Sequence, residues 1–447
     1  METAIRITVE HYSTSNNIVL SRKNINDQAV IKPTDMADLG YRHIEQIQIL
    51  SALQDFKLEH QSYLLNANGI CPRCNNKTTK FGMRKSKLHA VLTDHEVFIQ
   101  RTQCRCGWIS ESTVEGIYGS SIHPELLEKQ VKQSAENSYR KSKMHLNAES
   151  GDKRPVNNTE RLRRTVEKVA NIIEDNNLKE MDKPKKEKSA KELIAVVDGG
   201  HIKSVVKESR SFEAMIGSVY RPENLIRVDK HHNEIIKKTS VASALSDEQK
   251  TIKKLILNAC KKEGMSAEST KLTCLTDGAN NCWSITKTLE NHCHEFEEIL
   301  DWFHITKRFT IIKNSIGNAL EDRLDKAKWH LWHGDYKTTL TKINQLKESV
   351  STDRLILLLT DLHDYIHRNQ AYLTNYQAKA ASNLPYTSTY AEVSVNSIIN
   401  TRQKCSQKMQ WGRTGAHNIL QIRASIYSKT WNNDFELAKK EIYKQAA

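Results

Sequence analysis

Short apolar runs alternate with residues of helical periodicity along the second half of the chain. Residues 193–197 (LIAVV) and 272–276 (LTCLT) are apolar and rich in β-branched side chains, which predicts two buried strands. Between these two strands in the sequence, residues 211–219 and 225–230 predict two strands that pair with each other. Residues 246–264 predict a helix, because apolar side chains recur there at helical spacing: Ile252, Leu255, Ile256 and Ala259. This alternation predicts an α/β domain, in which ligands bind at the carboxyl ends of the strands.

Helical periodicity also extends through residues 121–178 and 303–385. The first segment carries two apolar stripes, formed by Leu127, Val131, Ala135 and Tyr139, and by Leu162, Val166, Val169 and Ile173. Two residue pairs match the spacing of a capping box and predict helix starts: Asn157 with Glu160, and Ser246 with Gln249. Residues 179–192 lack aromatic and β-branched side chains and are predicted to be a linker, so a new domain begins at residue 193.

Four cysteines form two close pairs, Cys71 with Cys74 and Cys104 with Cys106, on either side of a segment with strand character. Two thiolate pairs brought together across a hairpin supply the four ligands of a tetrahedral structural zinc, so residues 71–120 are predicted to be a zinc ribbon. The alternative is four buried or unpaired cysteines. No role is predicted for residues 1–70.

The chain carries 67 Lys and Arg against 53 Asp and Glu, a net charge of +14 with a pI near 9.2. This excess favours polyanionic partners. Nine cysteines, an odd number, favour a reducing compartment over a disulfide framework. With neither an apolar run of membrane-spanning length nor a signal peptide, the chain is expected to be cytoplasmic and to bind no membrane.

Positive charge is concentrated in the helical segment 121–178. Between Lys129 and Arg164, ten Lys or Arg and four Asp or Glu give 10 − 4 = +6. This segment is predicted to be a helix-turn-helix-like DNA-binding region, with a solvated basic surface as an equally weighted alternative. Its candidate phosphate contacts are Arg161, Arg163, Arg164 and Lys168.

Three acidic residues follow predicted strands. Asp198 comes before Gly199 and Gly200, which would let a ligand approach the backbone closely; Asp277 precedes a glycine; and Asp301 follows the apolar pair Ile299 and Leu300. Two aspartates at neighbouring strand ends would repel each other unless a cation lay between them, and magnesium prefers such oxygen ligands. An ordinary turn is the alternative for each Asp-Gly pair taken alone.

A fourth acid, Glu392, lies in the segment YAEVSVNSIINTRQK. Glu392, Asn396, Ile399 and Gln403 recur at three- and four-residue spacing, which places them along one face of a predicted helix. Glu392 is therefore a candidate to point into the same cleft.

The order Asp198, Asp277, Glu392 resembles that of the DDE transposases, whose catalytic domain has an RNase H-like fold. The stretch DWFHITKR resembles the D-x-x-H element that follows the second acid in Mutator-like and several bacterial insertion-sequence transposases. The run AEVSVNSIINTRQKCSQKMQWGRTGAHNILQIR is similar to the glutamate-bearing block of bacterial insertion-sequence enzymes, marked by Trp411, Gly415, Ala416, His417 and Arg423.

The resemblance implies an RNase H-like catalytic core over residues 193–302 and 386–447, interrupted by an all-helical insertion over 303–385. It implies metal-dependent cleavage of DNA at insertion-sequence ends and transfer of the freed 3′ end to target DNA. Two Mg²⁺ or Mn²⁺ ions would be held, both by Asp198, one by Asp277 and the other by Glu392. The partners would be terminal inverted repeats and target DNA, the assembly a dimer or larger, and the location the nucleoid of a bacterial cytoplasm.

Other residues of the resembling blocks are candidates for roles around this site. Asp301, His304, His201 and His417 are predicted to lie around the acids. Arg402, Trp411 and Arg423 are candidate DNA contacts. Trp329, Trp332 and Trp411 are candidates to stack an unpaired base, with burial in the core as the favoured alternative.

Two other functions fit the same sequence. One is a DNA-binding protein derived from a transposase that has lost catalysis. The other is an RNase H-like nuclease that cleaves without joining strands. The presence of all three acids favours the active transposase.

Overall fold

The computed structural model describes residues 3–66, 69–179, 189–227, 233–388, 396–404 and 409–444. Its architecture is mixed α/β, with a five-stranded mixed sheet as its largest sheet. The chain divides into two compact units, of which the first contains Met1–Val169 and Phe435–Ala447 and the second contains Ala170–Asp434. The boundary thus falls inside the helix that spans Thr159–Leu178, upstream of the predicted domain start at residue 193.

The first unit is built from two hairpins and a set of helices. Its strands are β1 (Thr3–Tyr12), β2 (Val19–Val30), β3 (Thr79–His89) and β4 (Asp94–Gln103), with β1 paired to β2 and β3 paired to β4, both antiparallel. Its helices are α1 (His43–Ser62), α2 (Val114–Tyr118), α3 (Pro124–Glu136), α4 (Tyr139–Glu149) and the first half of α5 (Thr159–Leu178).

Most side chains of the two predicted apolar stripes are buried, but Tyr139 is half-buried and lies in α4, because α3 ends at Glu136. Leu127, Val131 and Ala135 face inward from α3, and the stripe on α5 does the same with Leu162, Val166, Val169 and Ile173. The predicted cap at Asn157 is wrong by one residue. Asn158 accepts the hydrogen bond from the Arg161 N–H, because the Asn157 side chain is buried and bonded to Gln130.

The second unit contains the large sheet and most of the remaining helices. Its strands are β5 (Glu192–Lys203), β6 (Ser211–Tyr220), β7 (Leu225–Arg227), β8 (Asn233–Ile235), β9 (Thr239–Ser243), β10 (Lys271–Thr276) and β11 (Glu295–Leu300). Its helices are α6 (Lys250–Lys262), α7 (Asn280–Thr286), α8 (Trp302–Ile316), α9 (Asn318–Trp332), α10 (Tyr336–Glu348), α11 (Asp353–Arg368), α12 (Tyr376–Ala381), α13 (Thr401–Gln403), α14 (Arg413–Tyr427) and α15 (Trp431–Ile442), which ends in the first unit.

The large sheet has the strand order β11-β10-β5-β6-β9. Strands β5, β6 and β9 pair antiparallel, whereas β10 and β11 run parallel to β5. The predicted pairing of residues 211–219 with 225–230 is therefore wrong. The third strand of the sheet is β9, because a short 3-10 turn at Pro222–Asn224 leads instead into the separate hairpin of β7 and β8.

Helices cover both faces of this sheet, because apolar side chains point alternately to either face along the strands. On one face, Leu193, Ala195 and Val197 of β5 pack with α6 and α7. On the other face, Ile194 and Val196 pack in a cluster that reaches into α8–α12. The α6 helix begins at Lys250 with Asp247 accepting from the Thr251 N–H, so the predicted cap at Ser246 is also wrong.

The described helices include none that combines the length and the apolar character needed to cross a lipid bilayer. Of the predicted linker 179–192, residues 180–188 lie outside the described residues, and β5 begins at Glu192.

Candidate active site and candidate metal centre

Three aspartates lie side by side where the parallel pairing of β5, β10 and β11 ends. Val197 of β5 pairs with Thr276 of β10, and Thr276 pairs with Leu300 of β11. The next residue on each strand is an acid: Asp198, Asp277 and Asp301. The register thus brings together the first two acids predicted from the sequence and places the third beside them.

Strand β5 does not end at Asp198, as its apolar run predicted, but continues to Lys203. Past Asp198 it loses β10 and keeps its antiparallel pairing with β6. The two glycines that follow make room for protein side chains. A Cβ at Gly199 would lie 2.6 Å from an oxygen of Glu213, and one at Gly200 would lie 2.8 Å from Ile399. In this structure, the space at the two glycines is occupied by the side chains of Glu213 and Ile399.

Asp198 is partly buried, and its electrostatic environment disfavours a lone negative charge. Burial raises the pKa of its carboxyl; the nearby His304 and the Gly199 N–H oppose this shift, while the charges of Asp277 and Asp301 add to it. A cation at this point of the sheet would relieve that cost.

Asp277 is held by its own turn and by α11. Its side chain accepts from the Ala279 N–H at 2.9 Å, and its carbonyl accepts from the Tyr365 hydroxyl at 2.8 Å. Gly278 has φ of +89°, and a Cβ there would lie 2.7 Å from Leu300. Only glycine combines this backbone conformation with such close packing.

Asp301 has a different environment, because its carboxylate is fully engaged within the protein. The residue is 1% exposed, caps α8 through the Phe303 N–H, and accepts from both the backbone N–H and the hydroxyl of Ser388. His304 lies one turn further, with its Nε2 3.7 Å from the carboxylate. Asp301 and His304 therefore lie next to the acids, where they were predicted.

Glu392 lies outside the described residues. The described chain on either side of it is attached close to the row of acids. Ser388 is bonded to Asp301, and Ile399 in the π-helical turn Asn396–Asn400 packs against Gly200.

Sequence reasoning missed a carboxylate on β6. Glu213 lies against Gly199 and accepts from the Asn281 amide at 2.5 Å. Burial and the charges of Asp277, Asp198 and Glu213 all raise the pKa of the neighbouring Cys282 thiol. The available signal was an isolated acid within the apolar run FEAMIG.

The two histidines predicted near the acids have separate surroundings. His201 is exposed on β5, directly opposite Glu213 in the register. His417 is 2% exposed, with Nε2 2.8 Å from Glu174 and Nδ1 3.3 Å from the Ala244 nitrogen. His417 thus bonds α14 to α5 and to the end of β9.

The C-terminal candidates for DNA contact are buried. Arg402, Trp411 and Arg423 are 1%, 8% and 0% exposed. The Arg423 guanidinium donates to the carbonyls of Ser397 and Ile398 and to the hydroxyl of Thr401. A contact of Arg423 with DNA would have to break these bonds.

The four candidates on α5 are exposed, but they differ in their partners. Arg163 and Arg164 share Glu160 at 2.9 Å, and Arg163 also binds Glu167. Hydrogen bonds from Arg163 and Arg164 lower the pKa of Glu160 to about 2, so this acid stays charged and offsets them. In the described part of the chain, Arg161 and Lys168 form no ion pair.

Of the tryptophans considered for base stacking, Trp411 is buried, and Trp332 packs against Trp302 with ring centroids 4.8 Å apart. Trp329 is 57% exposed and rests on His333 with centroids 4.1 Å apart. Trp329 is thus the one of the three that presents substantial ring surface to solvent.

The four cysteines of the first unit meet at the open end of the hairpin of β3 and β4. Their sulfur atoms all lie within 4.8 Å of one another, with Cys71 to Cys106 at 3.6 Å and Cys74 to Cys104 at 3.4 Å. A tetrahedral zinc with Zn–S bonds of about 2.3 Å separates its sulfurs by about 3.8 Å, which this cluster fits.

The loop that carries Cys71 also favours the thiolate form of this residue. Burial opposes it at Cys71, but the N–H groups of Arg73 and Cys74 and the thiols of Cys106 and Cys74 together lower the Cys71 pKa to about 7. Among the described residues, the four cysteines form a group of potential ligands close enough to share one ion. Asp198, Asp277 and Asp301 do not form such a group.

Comparison with known proteins assigns no family. No family model matches the chain, and no curated protein matches it.

Proposed function

We propose that this chain is a metal-dependent DNA phosphoryl-transfer enzyme of the DDE transposase class, which cleaves and joins strands at insertion-sequence ends. The observation that carries the proposal is the placement of Asp198 beside Asp277 by the parallel register of β5 and β10. The raised pKa of Asp198 supports a cation there, because burial and neighbouring carboxylates disfavour its charge in the absence of one.

We also propose that the second unit has an RNase H-like core. Its sheet supports this, because a three-stranded antiparallel meander is extended by two strands parallel to the first, as in that fold. Helices α8–α12 would be the all-helical insertion, since they lie between β11 and the segment that carries Glu392.

Asp198 and Asp277 would hold Mg²⁺ or Mn²⁺, as two ions, together with Glu392. Bound metal would supply activation of a water or a 3′-hydroxyl and stabilisation of the leaving oxygen. The chain's part is to position the ligands. Tyr365 and Gly278 hold the Asp277 turn, and Asp301 holds Ser388, four residues before Glu392 in the sequence.

A labelled duplex ending in the element's own terminal repeat would test this function. The wild-type chain should cleave it with Mg²⁺ and join the freed end to a second duplex. Asp198→Asn, Asp277→Asn and Glu392→Gln should each abolish both products, whereas Glu208→Gln, which changes an exposed acid outside the row, should not. Normal cleavage by Asp198→Asn would contradict the proposal, and cleavage without joining would indicate a nuclease.

A catalytically silent DNA-binding protein is the second candidate. It is favoured by the finding that the three described aspartates do not form a group with donor atoms close enough to share one ion. Titration of Mn²⁺ separates the two functions. An active enzyme should bind the ion in a manner abolished by Asp198→Asn, and a silent protein should not bind it.

DNA binding itself is proposed for the first unit and α5, with terminal repeats and target DNA as partners and a dimer or larger assembly. Arg161 and Lys168 support this, because they are exposed and their charges are not offset by an ion pair in the described structure. Removing one lysine or arginine that binds a phosphate should reduce the slope of log K against log salt by about 0.9. Arg161→Gln should therefore weaken binding more than Arg163→Gln, whose charge Glu160 and Glu167 already offset.

A further inference from the structure

A cavity of about 650 Å³ lies beside Asp277, between the N-terminal end of α7 and the helices α8 and α11. Three cationic side chains line it: Lys287, Arg308 and Arg368. None of them was singled out by the sequence, because they come from three separate helical segments.

Arg308 is held in a defined position. Its guanidinium carbon lies 3.9 Å from the centroid of the Tyr365 ring, and the Tyr365 hydroxyl donates to the Asp277 carbonyl at 2.8 Å. The stacked arginine is thus connected through one side chain to the turn that carries Asp277. Stacking on an aromatic face leaves the in-plane N–H donors of a guanidinium free to bind an anion.

In the described ranges, neither Arg308 nor Arg368 forms an ion pair with a carboxylate. Asp364 lies near Arg368, and the hydrogen bond to His363 and also the charge of Arg368 lower the pKa of its carboxyl. Arg368 donates its Nε–H to the carbonyl of Asp364 at 3.2 Å, which leaves its terminal nitrogens available.

The other charged groups of the cavity are a lysine that is already paired and two acids. Lys287 is paired with Glu290 at 3.1 Å, and Glu298 lines the wall together with Asp277. Glu298 accepts from the Thr286 hydroxyl, and burial raises its pKa. The cavity therefore contains charges of both signs, and its two arginines are the cations that form no ion pair in the described ranges.

We propose that this cavity is a phosphate-binding site, with Arg308 and Arg368 as its donors and Lys287 as additional positive charge. Planar guanidinium groups bind phosphate oxygens through two parallel hydrogen bonds, and this cavity offers two of them. This assignment rests on the proposed function: the phosphate belongs to the DNA strand that reaches Asp277, and Asp277 lines the same cavity. A free phosphate has the same chemistry and is the other possible source.

The test uses the full-length protein without added Mg²⁺ or Mn²⁺, so that binding is measured apart from catalysis and without removing metal from the cysteine cluster. Arg308→Gln, Arg368→Gln and the double variant would be compared with Arg323→Gln, which removes an exposed arginine from α9 outside the cavity. Arg308→Lys keeps the charge without the planar group. Affinity for a labelled single-stranded oligonucleotide would be measured by anisotropy at several salt concentrations, and thermal melting would be followed with inorganic phosphate.

If the site binds the strand, the double variant should bind more weakly, and its slope of log K against log salt should fall by about 0.7 for each phosphate that is no longer bound. Arg323→Gln should match the wild type, and Arg308→Lys should lie between wild type and Arg308→Gln. If the source is free phosphate, phosphate should raise the melting temperature of the wild type but not of the double variant, with oligonucleotide binding unchanged. A folded double variant that binds both the oligonucleotide and phosphate as the wild type does would overturn the proposal.

Failure of this site is distinguishable from failure of the proposed function. A wild-type enzyme that cleaves DNA, with a double variant that binds oligonucleotide and phosphate normally, would remove the site alone. A chain that never cleaves DNA but loses phosphate binding in the double variant would keep the site and remove the transposase function.

Discussion

Asp301 accepts hydrogen bonds from both the N–H and the hydroxyl of Ser388, which lies 87 positions further along the chain. The same carboxylate caps α8 through the Phe303 N–H. A single buried acid thus joins the end of β11 to the start of the segment that carries Glu392. Its role is separable from that of Asp198, although both lie in one row.

Replacing Asp301 by asparagine should therefore destabilise the fold. The amide oxygen could keep the two N–H groups that reach Oδ1, but its NH₂ group would replace the carboxylate oxygen that accepts from the Ser388 hydroxyl, so a buried hydrogen bond to a charged group is lost at a cost of about 1–3 kcal/mol. Urea unfolding of Asp301→Asn at neutral pH would measure the loss. Unchanged stability would show that Ser388 is held by other contacts.

Asp198→Asn should behave in the opposite way in the metal-free protein. The folded-state pKa of Asp198 is raised, so as pH rises above the ordinary value of 3.8 the unfolded chain loses its proton first. The free energy of unfolding of the wild type then falls, and the penalty is complete above the folded-state pKa. The substituted amide carries no proton to lose, so the variant should be as stable as the wild type at low pH and more stable at neutral pH.

Thermal melting across this pH range, without added Mg²⁺ or Mn²⁺, would check that prediction. A variant less stable than the wild type at neutral pH would show that the Asp198 carboxylate is paired in the fold. Addition of Mn²⁺ should stabilise the wild type and leave Asp198→Asn unchanged.

Gly278→Ala should destabilise the second unit by about 2 kcal/mol or more. The φ of +89° costs an L-residue about 1–2 kcal/mol, and the added Cβ would meet Leu300 at 2.7 Å. Gly415→Ala is the control, because its Cβ would come no closer than 4.0 Å to Trp411, and alanine favours helix by about 0.5–1 kcal/mol. Denaturant unfolding should give shifts of opposite sign.

The cluster of Cys71, Cys74, Cys104 and Cys106 should bind about one zinc ion per chain. Cys71→Ser with Cys104→Ser should abolish metal binding and the cooperative melting of the first unit, because a structural zinc contributes folding free energy directly. Cys293→Ser, which changes a cysteine outside the cluster, should retain both. Metal analysis after dialysis would check the stoichiometry, and a folded first unit without zinc would contradict the prediction.

Arg423→Lys should cost about 2 kcal/mol of stability, because an ammonium lacks the planar group that here reaches Ile398, Ser397 and Thr401. Chemical unfolding would measure it. If Arg423 instead contacts DNA, the variant should melt normally and bind DNA more weakly.

Local patterns were sufficient for much of the sheet and the cysteine cluster. The apolar runs at residues 193–197 and 272–276 predicted two neighbouring strands, and the cysteine spacing predicted the cluster. Strand β9 was missed because its sequence, TSVAS, is mostly small and polar, although all five residues are buried. The continuation of β5 past Asp198 was missed because DGGHIK has the composition of a loop, while its pairing with β6 is a tertiary effect.

Long-range contacts explain the rest. No local signal indicates that Asp301 binds Ser388 or that Tyr365 reaches Asp277. Arg423 is a candidate DNA contact because it lies in the resembling C-terminal block, and no local pattern there indicates that its guanidinium is buried. Whether a charged side chain meets solvent or backbone carbonyls depends on how α14 packs.

The pairing of Val197 with Thr276 limits the changes in chain length that the protein can tolerate. Side chains alternate between the faces of a sheet, so a one-residue deletion within β5 or β10 would turn one aspartate away from the other. The buried residues of these two strands therefore also determine the distance between Asp198 and Asp277. Insertions should be accepted in the loops among α9, α10 and α11, whereas insertions within these two strands should separate the two aspartates.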